Sequence, residues 1–596
     1  MKKVLLFGNE AIVQGALEAG VGFVTTYPGT PASEIGDIFA KIAKKQKIYF
    51  EYSTNEKVAL EAAAGAAFSN VKSIVSMKHY GLNVASDSFL PLVYFSCPLV
   101  VVVADDPGCW SSVQTEQDCR WYSRLANIPM LEPSNSQEAK DMTKEAFAIA
   151  WKYKIPVLVR LTTRVSHSKS AVKVGKILSA KTRGKFNKKF GLGSTITVER
   201  HVKLLEKLEK IKEVVEKSKF NFAQKDNNKG KMGVITSGIA YSYVREALKE
   251  LNAKLPLLKL GFTYPFPSEK VRKFLSKIME VFVVEELDPV VEEETRKLTD
   301  KKVYGKNLLP EAGELKPEDV LIALSKLLRK KLPINLIKEF SETVPKRIPF
   351  LCPGCPHRPV FYVVKKVLGK KIFAGDIGCY MLGSYPPYEL ENFVVAMGAG
   401  TGISHGIAKT TGEKPVIFIG DSTFFHAGIP ALLNLVYNKS NALVIVMDNR
   451  ITAMTGHQPH PGTGFTGMHE KTKTIQIEDI AKACQADFVK TSNAYNLEQL
   501  KKDIKQAYDS KGVSVIIAKG ECRLLTIRKI TRQGIPVQKF EIVKQKPGLK
   551  ELEQFGCPAI RKKKGKYFID EDLCWGCSLC KQLFPDCIRI KKQEEE

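Results

Sequence analysis

No uninterrupted apolar stretch in this chain reaches the roughly 20 residues that a membrane-spanning helix needs. The strongest candidate, residues 89–104, is broken by Pro91 and Pro98 and reads as buried strands. A secretory leader is not evident either: Met1-Lys2-Lys3 runs directly into Val4–Phe7, short enough to be a first strand. The expectation is a cytoplasmic protein. Acidic residues are few beside basic ones, 63 Asp and Glu against 91 Lys and Arg, a formal charge of +28. Such a balance can mark nucleic-acid binding. Here no RNA- or DNA-binding motif accompanies it, and the lysines are spread along the whole chain. Lys- and Glu-rich surfaces also accompany life at high temperature, and attraction of an acidic protein partner is the better use of the charge. No repeat of solenoid period is found.

At 596 residues, with 44% apolar content, the chain exceeds a single core, and roughly three to five domains are expected. Residues 1–165 alternate strand-like and helix-like segments: Val4–Phe7, Ala11–Ala19, Val58–Ser69, Ser73–Met77, Leu99–Ala104, Pro156–Leu161. That alternation predicts an α/β layout on a parallel sheet. Residues 166–231 form a Lys-rich helical linker, with an amphipathic helix over Leu204–Val215 and a loop at Lys225–Lys231. A small α/β unit over 232–345 follows: strand Met232–Thr236, helix Tyr241–Leu251, strand Leu257–Leu260, helix Ser268–Ile278, strand Glu280–Val284, then a helical arm over Pro317–Lys330. A further α/β domain spans 346–545, and residues 546–596 are a cysteine-bearing tail.

Thirteen cysteines in a cytoplasmic chain argue for metal ligation over disulfides. Cys574, Cys577 and Cys580 form CxxCxxC, whose pitch suits three corners of an iron–sulfur cubane, and Cys352 and Cys355 form a CPGC pair. In residues 420–449, an apolar strand (Val416–Ile419) ends in Gly420-Asp421, and another (Ala442–Met447) ends in Asp448-Asn449. In a parallel sheet both ends lie at the carboxyl edge, where α/β folds bind ligands. A carboxylate and an amide oxygen there suit Mg²⁺. The pattern resembles the diphosphate-binding motif of thiamine diphosphate (ThDP) enzymes, with Ser422 where the second glycine usually falls.

Four segments, Tyr27-Pro-Gly-Thr-Pro31, CPGCPHR at 352–358, Gly375-Asp-Ile-Gly-Cys379 and residues 447–464 (MDNRITAMTGHQPHPGTG), resemble the α subunits of indolepyruvate ferredoxin oxidoreductases, in the 2-oxoacid:ferredoxin oxidoreductase superfamily. The resemblance covers nearly the whole chain. It implies two doubly wound parallel-sheet domains: 1–165 binding the ThDP pyrimidine and 346–545 the diphosphate. Between them it implies a transketolase C-terminal-like α/β domain, and at the end a ferredoxin-like α+β tail.

For the cofactor, the resemblance implies that Glu56 meets the pyrimidine, in a Glu-x8-Gly arrangement with Gly65. Glu61 is the rival position. Thr30 matches a substrate-contacting position, and Lys78-His79 is expected to line the site. Asp421 and Asn449, with the Ile451 carbonyl, are expected on Mg²⁺. Gly420, Ser422, Thr423, His426 and His457 are expected around the diphosphate. The resemblance also implies a proximal [4Fe–4S] cluster on Cys352, Cys355, Cys379 and Cys522.

In the tail, Phe584 stands where a two-cluster ferredoxin has its fourth cysteine before Pro585, and Gln545, Gly548 and Glu551 stand where the resemblance implies three upstream cysteines. One cluster's ligands are thus lost together, while Cys557, Cys574, Cys577 and Cys580 remain for the other; Cys587 is an alternative fourth ligand. Two clusters per chain are expected. Arg561–Lys564, Lys581, Arg589, Lys591 and Lys592 would rim the tail cluster and face an acidic ferredoxin. The implied activity is oxidative decarboxylation of aryl 2-oxoacids, indolepyruvate first, with coenzyme A as acyl acceptor and ferredoxin as electron acceptor. A partner β subunit completes a heterodimer or a dimer of heterodimers. Pyruvate or a branched-chain acid as substrate, or a non-catalytic electron-transfer scaffold, are the alternatives.

Overall fold

The structure is a computed structural model that describes residues 2–186, 194–224, 230–332 and 348–591. The chain divides into two compact units, Met1–Thr343 with Gly467–His469, and Val344–Thr466 with Glu470–Glu596. Among the described residues no helix is long and apolar enough to cross a membrane.

The first unit holds a seven-stranded sheet in the order Phe262–Tyr264, Met130–Leu131, Val157–Thr162, Leu99–Asp105, Ser73–Lys78, Phe23–Thr26, Tyr49–Tyr52. All its pairings are parallel except the one made by the edge strand Phe262–Tyr264. Leu99–Asp105 is buried along its whole length, which is why it reads as an unbroken Leu-Val-Val-Val-Val run. A five-stranded sheet carries the small α/β unit, with Gly230–Ser237 paired in parallel to both Leu257–Leu260 and Ile278–Val284. Every element expected over 232–330 is present, within two or three residues at its ends. The helix over Ser194–Lys217 buries Leu204, Leu208, Ile211 and Val215, a stripe at helical spacing. Most of the expected loop at Lys225–Lys231 lies outside the described residues.

Two expectations need correction. Val4–Phe7 does not start the parallel sheet. Lys3–Phe7 pairs antiparallel with Lys169–Lys173 as a separate ribbon, because alternate residues of the strand are solvent-exposed and one face alone is covered. The apolar run 89–104 is not strand throughout: Phe89–Leu92 closes the helix His79–Leu92, with Pro91 in the last turn, and the strand begins at Leu99.

The second unit centres on a five-stranded, all-parallel sheet in the order Phe373–Ala374, Val416–Gly420, Ala442–Asp448, Val513–Lys519, Phe488–Asn493. Phe418, Ile445 and Met447 face the helix His357–Leu368 side, and Ile417, Ile419, Val444 and Val446 fill the other core. The tail adds two short antiparallel pairs, Phe540–Ile542 with Ile588–Ile590 and Ile560–Lys563 with Lys566–Ile569.

Candidate active site

Val416–Gly420 and Ala442–Asp448 are adjacent strands with Gly420 opposite Met447, so the Gly-Asp and Asp-Asn ends emerge side by side. The chain turns directly into helix at Asp421, and a π-helical turn over Phe424–Gly428 leads into the helix Ile429–Tyr437. Such turns break the regular backbone ladder and recur at functional sites. Asp421 is 3% exposed and Asn449 7%. His460 Nε2 lies 3.1 Å from Asp421 Oδ2. The Gly462 amide donates to His460 Nδ1 at 3.1 Å, so the proton sits on Nε2 and points at the carboxylate. His357 Nε2 lies 3.2 Å from Asn449 Nδ2, and the Ile451 amide donates to Asn449 Oδ1 at 3.1 Å. Thr452 donates its hydroxyl to Ser422 Oγ at 3.1 Å. Tyr380 donates to the Ile377 carbonyl at 2.8 Å and stands 3.2 Å from the Thr423 hydroxyl.

The electrostatics divide these groups by charge. Burial works to raise Asp421, but His460, the Ser422 amide and Asp448 together hold the carboxyl below its usual range. Burial and the charge of Asp421 push Asp448 up to about 7. Burial drives His357 down to about 4 against the pull of Asp421, so its ring is neutral and accepts from Asn449. The result is one ionised carboxylate beside an amide oxygen, a hard-oxygen donor set that fits Mg²⁺. His460 and His357 hold these two side chains in place, as outer partners do around a metal.

Sequence reasoning did not select these two histidines, although both lie in quoted motifs, CPHR and HQPHPG. It selected His457 instead. With φ +68°, His457 turns its Nε2 to 3.7 Å from Cys522 Sγ and its Nδ1 to 3.4 Å from Arg528, beside the cysteine and not the carboxylate. His426 is buried within the π turn and is close enough to Asp376 to oppose that carboxyl's upward shift.

In the first unit, Glu56 opens the helix Glu56–Phe68, capped by Asn55, whose side chain accepts from the Val58 amide at 2.9 Å. Glu56 is 6% exposed, whereas Glu61 is exposed. The glycine that makes room for Glu56 is Gly81: a Cβ there would lie 2.6 Å from Glu56 Cγ. A Cβ on Gly65 would meet nothing described within 4 Å. Lys78 Nζ donates to the Ser111 carbonyl at 2.7 Å, and Ser111 Oγ donates to the Thr30 carbonyl at 2.9 Å. Thr30, Lys78 and the fully buried His79 thus gather at the carboxyl edge of the seven-stranded sheet. Burial lowers the His79 pKa, and it takes Lys78 down to about 8.

Among the described residues no three His, Cys, Asp or Glu side chains are drawn together as for a single metal ion. An iron–sulfur cubane makes a different demand, with four thiolates spread over its corners. Burial, then the Cys522 and Cys352 thiols, push Cys379 up to about 12, and burial then Cys379 raise Cys355. In the tail, burial pushes Cys577 up to about 11, and burial followed by Cys577, Cys557 and Cys574 raises Cys580. Buried thiols that raise one another fit a cationic core that takes them as thiolates. One apolar cavity is lined by Cys557, Cys574, Cys577 and Cys580 together with Pro353 and Gly354; Cys587 is not on its wall.

Gln545, Gly548, Glu551 and Phe584 are tied into the protein by their own contacts. Gln545 pairs twice with the Tyr567 backbone (2.7 and 3.0 Å), and Glu551 accepts from Tyr362 and Lys366 (2.5 and 2.8 Å). Phe584 packs 3.7 Å from the Cβ position of Gly548.

The family described as "Pyruvate flavodoxin/ferredoxin oxidoreductase, thiamine diP-bdg" matches residues 14–203, and "Thiamine pyrophosphate enzyme, C-terminal TPP binding domain" matches residues 376–518. Six curated relatives carry the description indolepyruvate oxidoreductase subunit IorA. That of Methanothermobacter marburgensis is 44% identical over 98% of this chain and 96% of its own length. That of Thermococcus kodakarensis is 42% identical over 100% and 98%, and that of Archaeoglobus fulgidus 39% over 98% and 97%. Among solved structures, a 2-oxoglutarate:ferredoxin oxidoreductase from Magnetococcus marinus superposes with a TM-score of 0.46 at 18% identity, over 54% of this chain and 65% of that one, a likeness too low to bear on function.

Proposed function

The chain belongs to the indolepyruvate oxidoreductase subunit IorA family, ThDP-dependent enzymes of 2-oxoacid oxidation, and from that premise we propose that it is the catalytic α subunit of an aryl 2-oxoacid:ferredoxin oxidoreductase. Indolepyruvate is the foremost substrate; it is decarboxylated, the acyl group passes to coenzyme A, and two electrons leave singly for ferredoxin. A separate β subunit completes the enzyme.

The observation that carries this reading is the Asp421–Asn449 pair on adjacent strand ends, ordered by His460 and His357. Asp421, Asn449 and the Ile451 carbonyl would hold Mg²⁺, with Gly420, Ser422, Thr423 and His426 around the cofactor diphosphate. ThDP, when bound, supplies the electron sink that 2-oxoacid decarboxylation requires. Glu56 would hold a proton against the cofactor's pyrimidine ring, where a buried carboxylate favours the reactive tautomer. Thr30, Lys78 and His79 would face the substrate. Cys352, Cys355, Cys379 and Cys522 would ligate the proximal [4Fe–4S] cluster, and Cys557, Cys574, Cys577 and Cys580 the tail cluster. His457, beside Cys522, belongs to the proximal cluster's surroundings in this reading.

The domain assignment follows: 1–165 for the pyrimidine, 166–231 as linker, 232–345 as a transketolase C-terminal-like domain, 346–545 for the diphosphate, and 546–596 as a ferredoxin-like tail. The basic hairpin Ile560–Lys563/Lys566–Ile569 would meet an acidic ferredoxin. The reading is tested by assaying the chain with its partner subunit on aryl pyruvates, pyruvate and branched-chain 2-oxoacids, with coenzyme A and a viologen dye. Fastest dye reduction with aryl pyruvates is expected. Preference for another 2-oxoacid would move the substrate, and no reduction with any would favour a scaffold.

A further inference from the structure

Resting on the two-cluster reading, we propose that Arg523 and Gly354 form a joint that holds the tail cysteine loop against the CPGC loop, so that electrons cross between the two cluster sites at one shared wall. Arg523 follows Cys522. Its Nε donates to the Trp575 carbonyl at 2.7 Å and its Nη2 to the Gly576 carbonyl at 2.9 Å, both just ahead of Cys577. Gly354 sits between Cys352 and Cys355 with φ +64°. A Cβ on it would lie 3.1 Å from Cys577 Cβ, 3.5 Å from Cys577 Sγ and 2.9 Å from Arg523 Cγ. Only a residue without a side chain allows that approach in that backbone conformation.

The same contact recurs from other directions. Pro353 and Gly354 line the cavity of the four tail cysteines. The Tyr495 hydroxyl stands 3.0 Å from the carbonyls of both Gly354 and Glu521, tying the CPGC loop to the residue before Cys522. Arg358 bridges in parallel: its guanidinium donates to the Cys352 carbonyl at 3.1 Å and also to the Gly556 carbonyl, next to Cys557. Two arginines thus each reach from a proximal-ligand segment to a tail-ligand segment. Their donors go to carbonyls beside the cysteine positions, and charge and hydrogen bonds near such ligands set cluster potentials. With clusters held by the two cysteine sets, each crossing would take one electron from the proximal to the tail cluster, with no proton or atom moving.

The test uses the anaerobically purified complex of this chain with its partner subunit, carrying Arg523→Ala, Arg523→Lys or Gly354→Ala. Iron per chain and the electron paramagnetic resonance spectrum of the fully reduced protein are read together. In the wild type, two neighbouring paramagnetic clusters should broaden each other's signals. Arg523→Ala should keep wild-type iron while that interaction weakens severalfold, Arg523→Lys should fall between, and Gly354→Ala should weaken it in an iron-replete protein. An unchanged interaction in both Arg523→Ala and Gly354→Ala overturns the joint. So does loss of about four irons in Arg523→Ala, because the residue would then build the tail cluster site and not space it. An iron-free wild type overturns the two-cluster reading itself, whereas an iron-replete wild type with unmoved variants overturns the joint alone.

Discussion

Replacing Glu391 by Gln should flatten the pH dependence of stability in the second unit. Both carboxylate oxygens of Glu391 are buried without a hydrogen-bond partner, and one lies 2.3 Å from the Cβ position of Gly375. Burial, with the charge of Asp376 adding, pushes this carboxyl up to about 9 from an ordinary 4.5. The folded chain therefore keeps a proton that the unfolded chain releases above about pH 4.5. Stability from this group is greatest below that pH and falls as pH rises toward 9, by about 1.4 kcal/mol per unit. At pH 7 the cumulative cost is about 3 kcal/mol. Glutamine is neutral in both states and removes the dependence, although its amide adds buried donors that cost about 1–3 kcal/mol if unpaired. The slope is therefore the cleaner readout. Between pH 5.5 and 8.5 the variant should gain about 4 kcal/mol on the wild type, roughly 8–16 °C in thermal midpoint for a unit of this size. Cofactor-free protein followed by circular dichroism would show two curves that converge in acid and diverge in base. Parallel curves would mean that Glu391 is ionised in the folded chain and the reasoning is wrong.

Asp421→Asn removes the ionised carboxylate proposed to hold Mg²⁺ and should weaken ThDP binding in Mg²⁺ about a hundredfold or more by calorimetric titration, while unaltered affinity would remove Asp421 from the proposed metal site. His460→Ala loses a charge-assisted bond worth about 1.5–3 kcal/mol, so Mg²⁺-dependent ThDP affinity should fall about tenfold and recover as pH rises, since the Asp421 carboxyl would then titrate higher. Glu56→Gln should retain ThDP and slow turnover by about a hundredfold or more; a fully active variant would pass the role to another residue. Cys557→Ala should cost about four irons per chain and Cys587→Ala none, and the reverse pattern would make Cys587 the fourth tail ligand.

The strands that bear Asp421 and Asn449 were legible because parallel strands buried on both faces read as unbroken apolar runs, and polar residues at their ends mark the sheet edge. The short elements over 232–330 were legible for a similar reason, since each alternation of period is bounded by a turn. What could not be read was which ring of a loop faces inward. His457 and His460 sit in one Gly- and Pro-rich turn, and the positive φ at His457, set by the surrounding packing, sends the first ring to Cys522 and leaves the second for Asp421. His357 is brought to Asn449 only by helix-on-sheet packing, which local spacing does not encode. The close approach of Gly81 to Glu56 was not legible either, because it joins two helices whose packing local spacing does not encode. Likewise Lys3–Phe7 has a strand's pattern, but the partner that makes it a ribbon lies far along the chain at Lys169–Lys173.

The central claim is that one ThDP site in this chain drains into two, and not three, iron–sulfur clusters. Iron and thiamine analysis of a single anaerobic preparation of the full chain with its partner subunit tests it most directly, counted per copy of this chain. The account predicts one ThDP and about eight irons, four for each cysteine set. About twelve irons would show that the positions held by Gln545, Gly548, Glu551 and Phe584 do not mark a lost cluster, and a preparation that binds no ThDP would contradict the account at its root.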